Sequence, residues 1–339
     1  MTVSRVLRGA PRNATATRDR VLRVAREMGY RPNPMVSALM SARARGQSAL
    51  ANLALVKVGP IRGVLGYEEG AIEQAEKYGY PIEEFILHPS EMTPERLREI
   101  LHSRGVRGII LMPVPVPGTD LHFDFEGFAT VALGYSVAHN HLTRVISDAY
   151  GRVLDAVRHL EMRGFTRIGI VNGPEMDRRF NFGMRAAAEV APHVISSKLS
   201  VPTLMLEGAN EYTHFDSRHR KQLREWIRKK RPQVVMSQLY HLTDVLREEG
   251  FRIPDDLAYL HLHAHRDPYF ASMDQMCWFA GRKAVDIVVA AINRNEFSLP
   301  QYPYYLSVPS NWRDGPSVPE RADFGGRSVS PRSHTKSTQ

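Results

Sequence analysis

The sequence predicts an α/β protein: two doubly wound parallel sheets, preceded by a short, basic, all-helical segment. Three observations predict it. From Asn52 onward, apolar runs of strand length alternate with helical stretches of 10–20 residues, the signature of parallel sheets joined by helical crossovers. That alternating region spans roughly 260 residues, more than one sheet of this kind ordinarily takes, so two are expected. Positive charge is gathered at one end: residues 1–46 hold ten Arg and no Lys against two acids, a balance of +8 within a whole-chain net charge of +9.

That first segment reads in helices separated by turn residues. Thr2 to Leu7 places Val3, Val6 and Leu7 on one side at i, i+3, i+4 spacing, leaving Ser4, Arg5 and Arg8 facing away. Gly9, Ala10 and Pro11 break it. Thr15 or Thr17 caps the next helix, whose stripe is Val21, Val24, Ala25 and Met28 and which stops at Gly29. Tyr30-Arg31-Pro32 is extended, because the residue before proline avoids the helical region. Asn33-Pro34 then opens a short helix carrying Met35, Val36, Leu39 and Met40. A dense cluster of Arg on so short a stretch is the footprint of a polyanion-binding arm, since a merely solvated face usually mixes both signs. Short Thr and Ser side chains permit close approach to a duplex, and Arg reaches guanine edges with two hydrogen bonds.

Residues 41–51 (SARARGQSALA) are small and polar and read as a linker. The alternation then runs LALVKV (53–58), the helical VLGYEEGAIEQAEKYGY, strand FILH (85–88), helix PERLREILHSRG (94–105), and strands VRGIILMPV (106–114) and ATVALGY (129–135). Residues 144–165 read as mostly helix. Strand RIGIVNGP (167–174), helix NFGMRAAAEVA (181–191) and strand LSVPTLMLEG (199–208) follow. Helix 215–231, strand PQVVMSQ (232–238), helix 242–251, strand DLAYLHLHAH (256–265), helix 281–295 and the closing YYLSVPSNW (304–312) complete the core. Residues 315–339 are rich in Gly, Ser and Pro and are expected to form a disordered tail.

Composition excludes several classes. No apolar run approaches the roughly 20 residues of a membrane span, and the N-terminus lacks the apolar core of a secretory signal. The single Cys277 excludes an internal disulfide framework and suits a reducing cytoplasm. No P-loop, G-x-S-x-G elbow, HExxH or paired-Cys motif is present, so no catalytic constellation and no cofactor are expected. His261, His263 and His265 alternate along one predicted strand and would share a face. That leaves open a metal cluster, a ligand contact at His263, or packing. Same-strand side chains point in parallel and no Cys or carboxylate completes a shell, which disfavours the metal. The basic helix RHRKQLREWIRKKR is most simply a solvated face.

T-V-S-R-V-L, then T-R-x-R-V, then G-Y-R-P-N and a helix containing Leu39 resemble, in that order, the N-terminus of the LacI/GalR family of bacterial regulators. In the core, Gly70 in EEGAIEQAEKYGY, VRGIIL, Asp148 and Gly151, and REEGFRIPDDLAYL extend the resemblance over about 1–314. It implies a partial helix-turn-helix (1–31), a hinge helix and linker (32–51), and a two-lobed, periplasmic-binding-protein-like ligand-binding and dimerisation domain (52–314). It further implies a homodimer that binds a near-palindromic double-stranded DNA operator in the cytoplasm, at the nucleoid, as a repressor responding to a small-molecule effector, a sugar or related metabolite.

Carried over by position, Thr2, Ser4 and Arg5 would contact the major groove, Asn33 would sit at the hinge entrance and Leu39 would wedge into a central base step, with Arg8 and Thr17 as further DNA-binding candidates. The family's chains begin earlier, with a helix packed behind the recognition helix. Met1 here falls inside that recognition helix, and the expectation is a start placed at an internal Met, the alternative being a truncated relic.

Ligands of this fold sit between the lobes, outside the carboxyl ends of the strands. Residues just after strands are therefore the candidates: Arg62, Pro113, Tyr135, Arg178, Arg179, His263 and Gln275. The family's arginine of the GP…GF stretch falls in register at Phe180, beside Arg178 and Arg179, and the aspartate ending its ISVVGFDD-type strand falls at His263. Both departures argue against an ordinary sugar effector. Two rivals remain: a solute-binding protein without specific DNA binding, and an enzyme on an α/β fold, which nothing in the sequence recommends.

Overall fold

The computed structural model describes residue 6 and residues 15–28, 51–59, 66–87, 92–210 and 212–320. The Thr2, Ser4, Arg5, Arg8, Asn33, Leu39 and Arg62 assignments lie outside these residues. Helix α1 (Thr15–Glu27) contains Thr17 at its third position, exposed, instead of at a cap.

Two six-stranded sheets form two lobes. In the first lobe, β1 (Asn52–Val58), β2 (Ile82–Leu87), β3 (Val106–Leu111), β4 (Ala129–Leu133), β5 (Thr143–Ser147) and β11 (Tyr305–Val308) lie in the order β11-β5-β4-β3-β1-β2, every pair parallel. Helices α2 (Tyr67–Lys77) and α9 (Cys277–Arg294) cover one face, and α3 (Pro94–Ser103) the other. In the second lobe, β6 (Ile168–Asn172), β7 (Thr203–Met205), β8 (Val234–Ser237), β9 (Ala258–His261), β10 (Ala271–Asp274) and β12 (Asn311–Arg313) take the order β12-β10-β9-β8-β6-β7. There α4 (Ala149–Met162) and α6 (Gly183–Val194) cover one face, and α7 (Ser217–Lys230) and α8 (Leu242–Glu248) the other, with the short α5 (Pro174–Arg179) after β6.

Each sheet is thus buried on both sides, which is why β4, β6 and β8 read as largely apolar runs without alternation. The helices show the matching stripes. In α3, Leu97 and Leu101 stand four residues apart and are wholly buried, each burial contributing about 1.5–3 kcal/mol. Thr93 caps that helix by accepting from Arg96 N, and Pro94 occupies its first position.

Four expectations need correction. Residues 144–147, read as helix, are strand β5: the run Val145-Ile146 fills a site between β4 and β11, and the helix starts only at the Asp148 cap. The strand expected over 256–265 ends at His261, so His263 and His265 lie in a loop and do not share its face. The sheet of the second lobe is not wholly parallel, because β12 pairs antiparallel with β10. Residues 315–318, assigned to the tail, are packed: Ser317 Oγ donates to Tyr259 O and accepts from Ala271 N, and Val318 joins the apolar core of the second lobe.

The chain crosses between lobes three times among the described residues: at Asp148 between β5 and α4, at Gln275–Met276 between β10 and α9, and between β11 and β12. The first and third crossings are tied where Asp148 N donates to Val308 O at 3.0 Å.

Helices α2 and α9 meet through two glycines placed reciprocally. A Cβ on Gly70 would stand 1.9 Å from Trp278 O, and one on Gly281 would stand 2.0 Å from Tyr67 O. Backbone cannot yield as a flexible side chain does. Gly281→Ala is therefore expected to destabilise the first lobe by about 1–3 kcal/mol, read as a lowered urea midpoint. A midpoint equal to wild type would show that the helices can separate without cost.

Candidate functional site

The carboxyl ends of both sheets face one another across the crossings. The first lobe contributes Ser147 at the end of β5. The second contributes Asn172, Gln238 and His261 from the ends of β6, β8 and β9. All four are buried, as is Arg152 in the first turn of α4, whose side chain is 1 % exposed. Among the described residues, the Ser147 hydroxyl, Asn172 Oδ1, both amide atoms of Gln238, His261 Nε2 and all three guanidinium nitrogens of Arg152 lack a hydrogen-bond partner. An unsatisfied buried polar atom costs about 1–3 kcal/mol, and more when charged. Their number at the strand ends and crossing of the two lobes makes these groups the candidates for a partner from outside the chain.

Arg152 follows the chain's first crossing by one turn. Its guanidinium lies 4.9 Å from the centroid of the Phe180 ring. Its charge is felt by the Tyr67 hydroxyl and the Cys277 thiol of the first lobe and by His261 and His263 of the second. Burial lowers its own pKa to about 10, so it stays protonated at neutral pH. Burial also raises the Cys277 thiol to about 11, which keeps it an uncharged core group.

The second lobe's mouth is aromatic. Tyr240 stacks on Tyr212 with centroids 5.6 Å apart and touches His261 (4.9 Å), His265 (6.2 Å) and His263 (6.5 Å). His261 Nδ1 is 2.9 Å from the Tyr259 hydroxyl. Burial pushes that phenol's pKa up, so it stays neutral and shares a hydrogen bond with Nδ1 whose direction is set by the imidazole tautomer. Burial, then the charge on Arg152, holds His263 down to about 4. Among the described residues, no group of three His, Cys, Asp or Glu is placed to hold a metal ion.

Of the residues expected from sequence, Arg179 spans the cleft: its Nη1 donates to Val114 O at 2.9 Å and its Nη2 to Pro115 O, both carbonyls of the first lobe. Pro113 is buried directly before those acceptors. His263 stands at the second lobe's mouth. Gln275 is buried at the crossing, where its Nε2 donates to Leu262 O and its Oε1 accepts from the Cys277 thiol, so its amide is already engaged. Tyr135 makes an edge contact with Tyr305. Arg178 is exposed and is not brought to the cluster. Arg152, Asn172, Gln238 and Tyr240 were not expected. For Arg152 a signal existed: it interrupts the stripe Ala149, Val153, Ala156, Val157, Leu160, where a charge must be buried. Asn172 and Gln238 end apolar strands, and only the facing of the two sheets gives them meaning.

Comparison with known proteins agrees with this architecture. Residues 1–33 match the family described as "Bacterial regulatory proteins, lacI family". Over 182 residues the chain is 30 % identical to the HTH-type transcriptional regulator AglR of Rhizobium meliloti, a match covering 51 % of this chain and 49 % of that protein. The chain thus spans about half the length of that relative. Its fold resembles that of the transcriptional regulator CelR in complex with cellobiose (TM-score 0.54, 20 % identity, 93 % of this chain and 94 % of that one). It also resembles the lac repressor dimer bound to operator and the anti-inducer ONPF (TM-score 0.53, 16 % identity, 94 % of each chain).

The buried histidines set a pH dependence. Both His261 and His263 have folded-state values below the ordinary 6.5, so between about 6.5 and 4 the unfolded chain binds more protons than the folded one. Stability is expected to fall as pH drops through that window, and His263→Asn to flatten the slope. Urea midpoints measured from pH 7 to 4 check this; a wild-type midpoint constant over the window would contradict it.

Proposed function

We infer that this chain, which carries the LacI-family signature in its first 33 residues and the two-lobed fold of that family's regulators, is a ligand-responsive transcriptional regulator. The observation that carries the reading is the pairing of those residues, and their dense Arg charge, with a cleft whose buried polar groups lack partners. The chain acts as a homodimeric repressor on a near-palindromic operator. Thr2, Ser4, Arg5 and Arg8 read the major groove, Thr17 meets the backbone, Asn33 opens the hinge, and Leu39 wedges the minor groove. The segments divide as 1–31 for DNA reading, 32–51 for hinge and linker, and 52–314 for ligand binding and dimerisation.

A small molecule, a sugar or a relative of one, occupies the cleft between the lobes; the CelR regulator of like fold forms a complex with cellobiose. Its contacts come from Asn172, Gln238, Tyr240 and His263, with Arg179 closing the lobes over it. Binding favours one lobe angle over another, and through it the spacing of the two hinges. That is a population shift, and it requires unequal ligand affinity in the two states. The reading needs no catalytic step or cofactor, and the proteins the chain resembles are regulators. No described helix is long and apolar enough to cross a membrane, and the proposed place of action is the cytoplasm, on the nucleoid.

Binding to duplex DNA is expected to weaken steeply with salt, the logarithm of affinity falling by about 0.9 per phosphate neutralised. Leu39→Ala is expected to weaken operator binding far more than binding to random duplex, measured by fluorescence anisotropy. Equal loss on both would contradict the wedge, and salt-insensitive binding would contradict the DNA-reading role.

A further inference from the structure

We propose that the small molecule bound in the interlobe cleft is an acid: a polyhydroxylated carboxylate, such as an aldonate or hexuronate, whose single negative charge is held by Arg152. This rests on the cleft being the effector site. The argument begins with charge. Arg152 is a fully charged group, 1 % exposed, with none of its three guanidinium nitrogens hydrogen-bonded among the described residues. Such a group is tolerated in an apolar stripe only if a partner repays its desolvation in some state of the protein. None of the protein's own nearby carboxylates hydrogen-bonds Arg152, although the Asp148 charge reaches it. Asp148 caps α4, its Oδ1 accepting from Gly151 N at 2.7 Å. Asp274 pairs with Arg313 and accepts from Met276 N. Asp177 pairs with Arg185. Phe180 offers the guanidinium only a ring face.

The remaining groups fix the size of the charge and the rest of the molecule. Burial keeps His261 and His263 neutral at physiological pH, and Arg179 is held by the carbonyls of Val114 and Pro115. Arg152 is thus the buried cation with open hydrogen-bonding positions, and its planar guanidinium matches the fork of a carboxylate. Gln238 brings an amide with a free donor and a free acceptor, Asn172 a free acceptor and Ser147 a free hydroxyl. These are the complements of sugar hydroxyls, which both donate and accept. The Tyr240 ring offers an apolar face beside them. A neutral sugar would satisfy the amides and leave Arg152 buried and unpaired.

The test is calorimetry on the purified chain with matched pairs: glucose and gluconate, galactose and galacturonate, with glucose 6-phosphate as the dianion. At least one acid is expected to bind at least about 10–100-fold more tightly than its neutral counterpart, the range of a charge-assisted hydrogen bond. Arg152→Met is expected to erase that preference, and Arg152→Lys to restore only part of it. Without ligand, Arg152→Met should unfold at a higher temperature than wild type, because it removes an unpaired buried charge. Neutral sugars binding as well as acids, glucose 6-phosphate outcompeting every carboxylate, no response to any acid, or a destabilised Arg152→Met would each overturn the proposal. Operator binding by the same preparation separates the two readings. DNA binding without any acid response sinks the acid alone; acid binding without DNA binding sinks the regulator alone.

Discussion

The three chain crossings between the lobes constrain everything else in this structure. Because the chain passes from first lobe to second at Asp148, back at Gln275–Met276, and over again between β11 and β12, neither lobe is built from one continuous stretch. Helix α9, which follows the second-lobe strand β10, packs in the first lobe against α2 through the Gly70 and Gly281 contacts. The crossings are also the floor of the cleft. Residues beside these crossings, Ser147, Arg152 and Gln275 among them, are polar where a core would be apolar.

That polarity is costly. An ordinary interior hydrogen-bonds nearly all its polar atoms, yet here Ser147, Arg152, Asn172, Gln238 and His261, at the strand ends and first crossing, leave atoms unpaired. The cost is carried by two sheets buried on both faces, whose apolar layers of Leu, Val, Ile and Ala enclose each lobe independently. A stable frame around a polar, unsatisfied seam is the arrangement in which a small molecule can change the relative energy of two lobe angles. Arg179, reaching from the second lobe to backbone carbonyls of the first, is one contact whose making and breaking would distinguish those angles.

Much of the fold was legible in the sequence because its signals are local. Strands buried on both faces read as unbroken apolar runs, and caps such as Thr93-Pro94 announce helices directly. What failed was also physical. The run Arg144 to Ser147 precedes a helix without a break in composition, so only its pairing with β4 and β11 makes it a strand. Ser317 and Val318 look like tail residues by composition, yet they fill a gap beside Tyr259 and Ala271. The site was half legible. Of the candidates placed after strands, Arg179 reaches across to the first lobe and His263 lies beside Tyr240, whereas Gln238 and Asn172 come together with them only through the facing of the two sheets. Arg152 was visible as a charge on an apolar stripe.

On the proposed function, Arg-rich residues at one end of the chain would meet DNA and the cleft between the lobes would meet a metabolite. Linkage requires that if occupancy of the cleft alters DNA affinity, DNA alters cleft affinity by the same factor. The most direct measurement is operator affinity at fixed salt with the cleft empty and with it saturated by the tightest-binding sugar acid. The account predicts a change of at least about fivefold, the lower end of ordinary allosteric coupling. The same affinity with the cleft full and empty would contradict it.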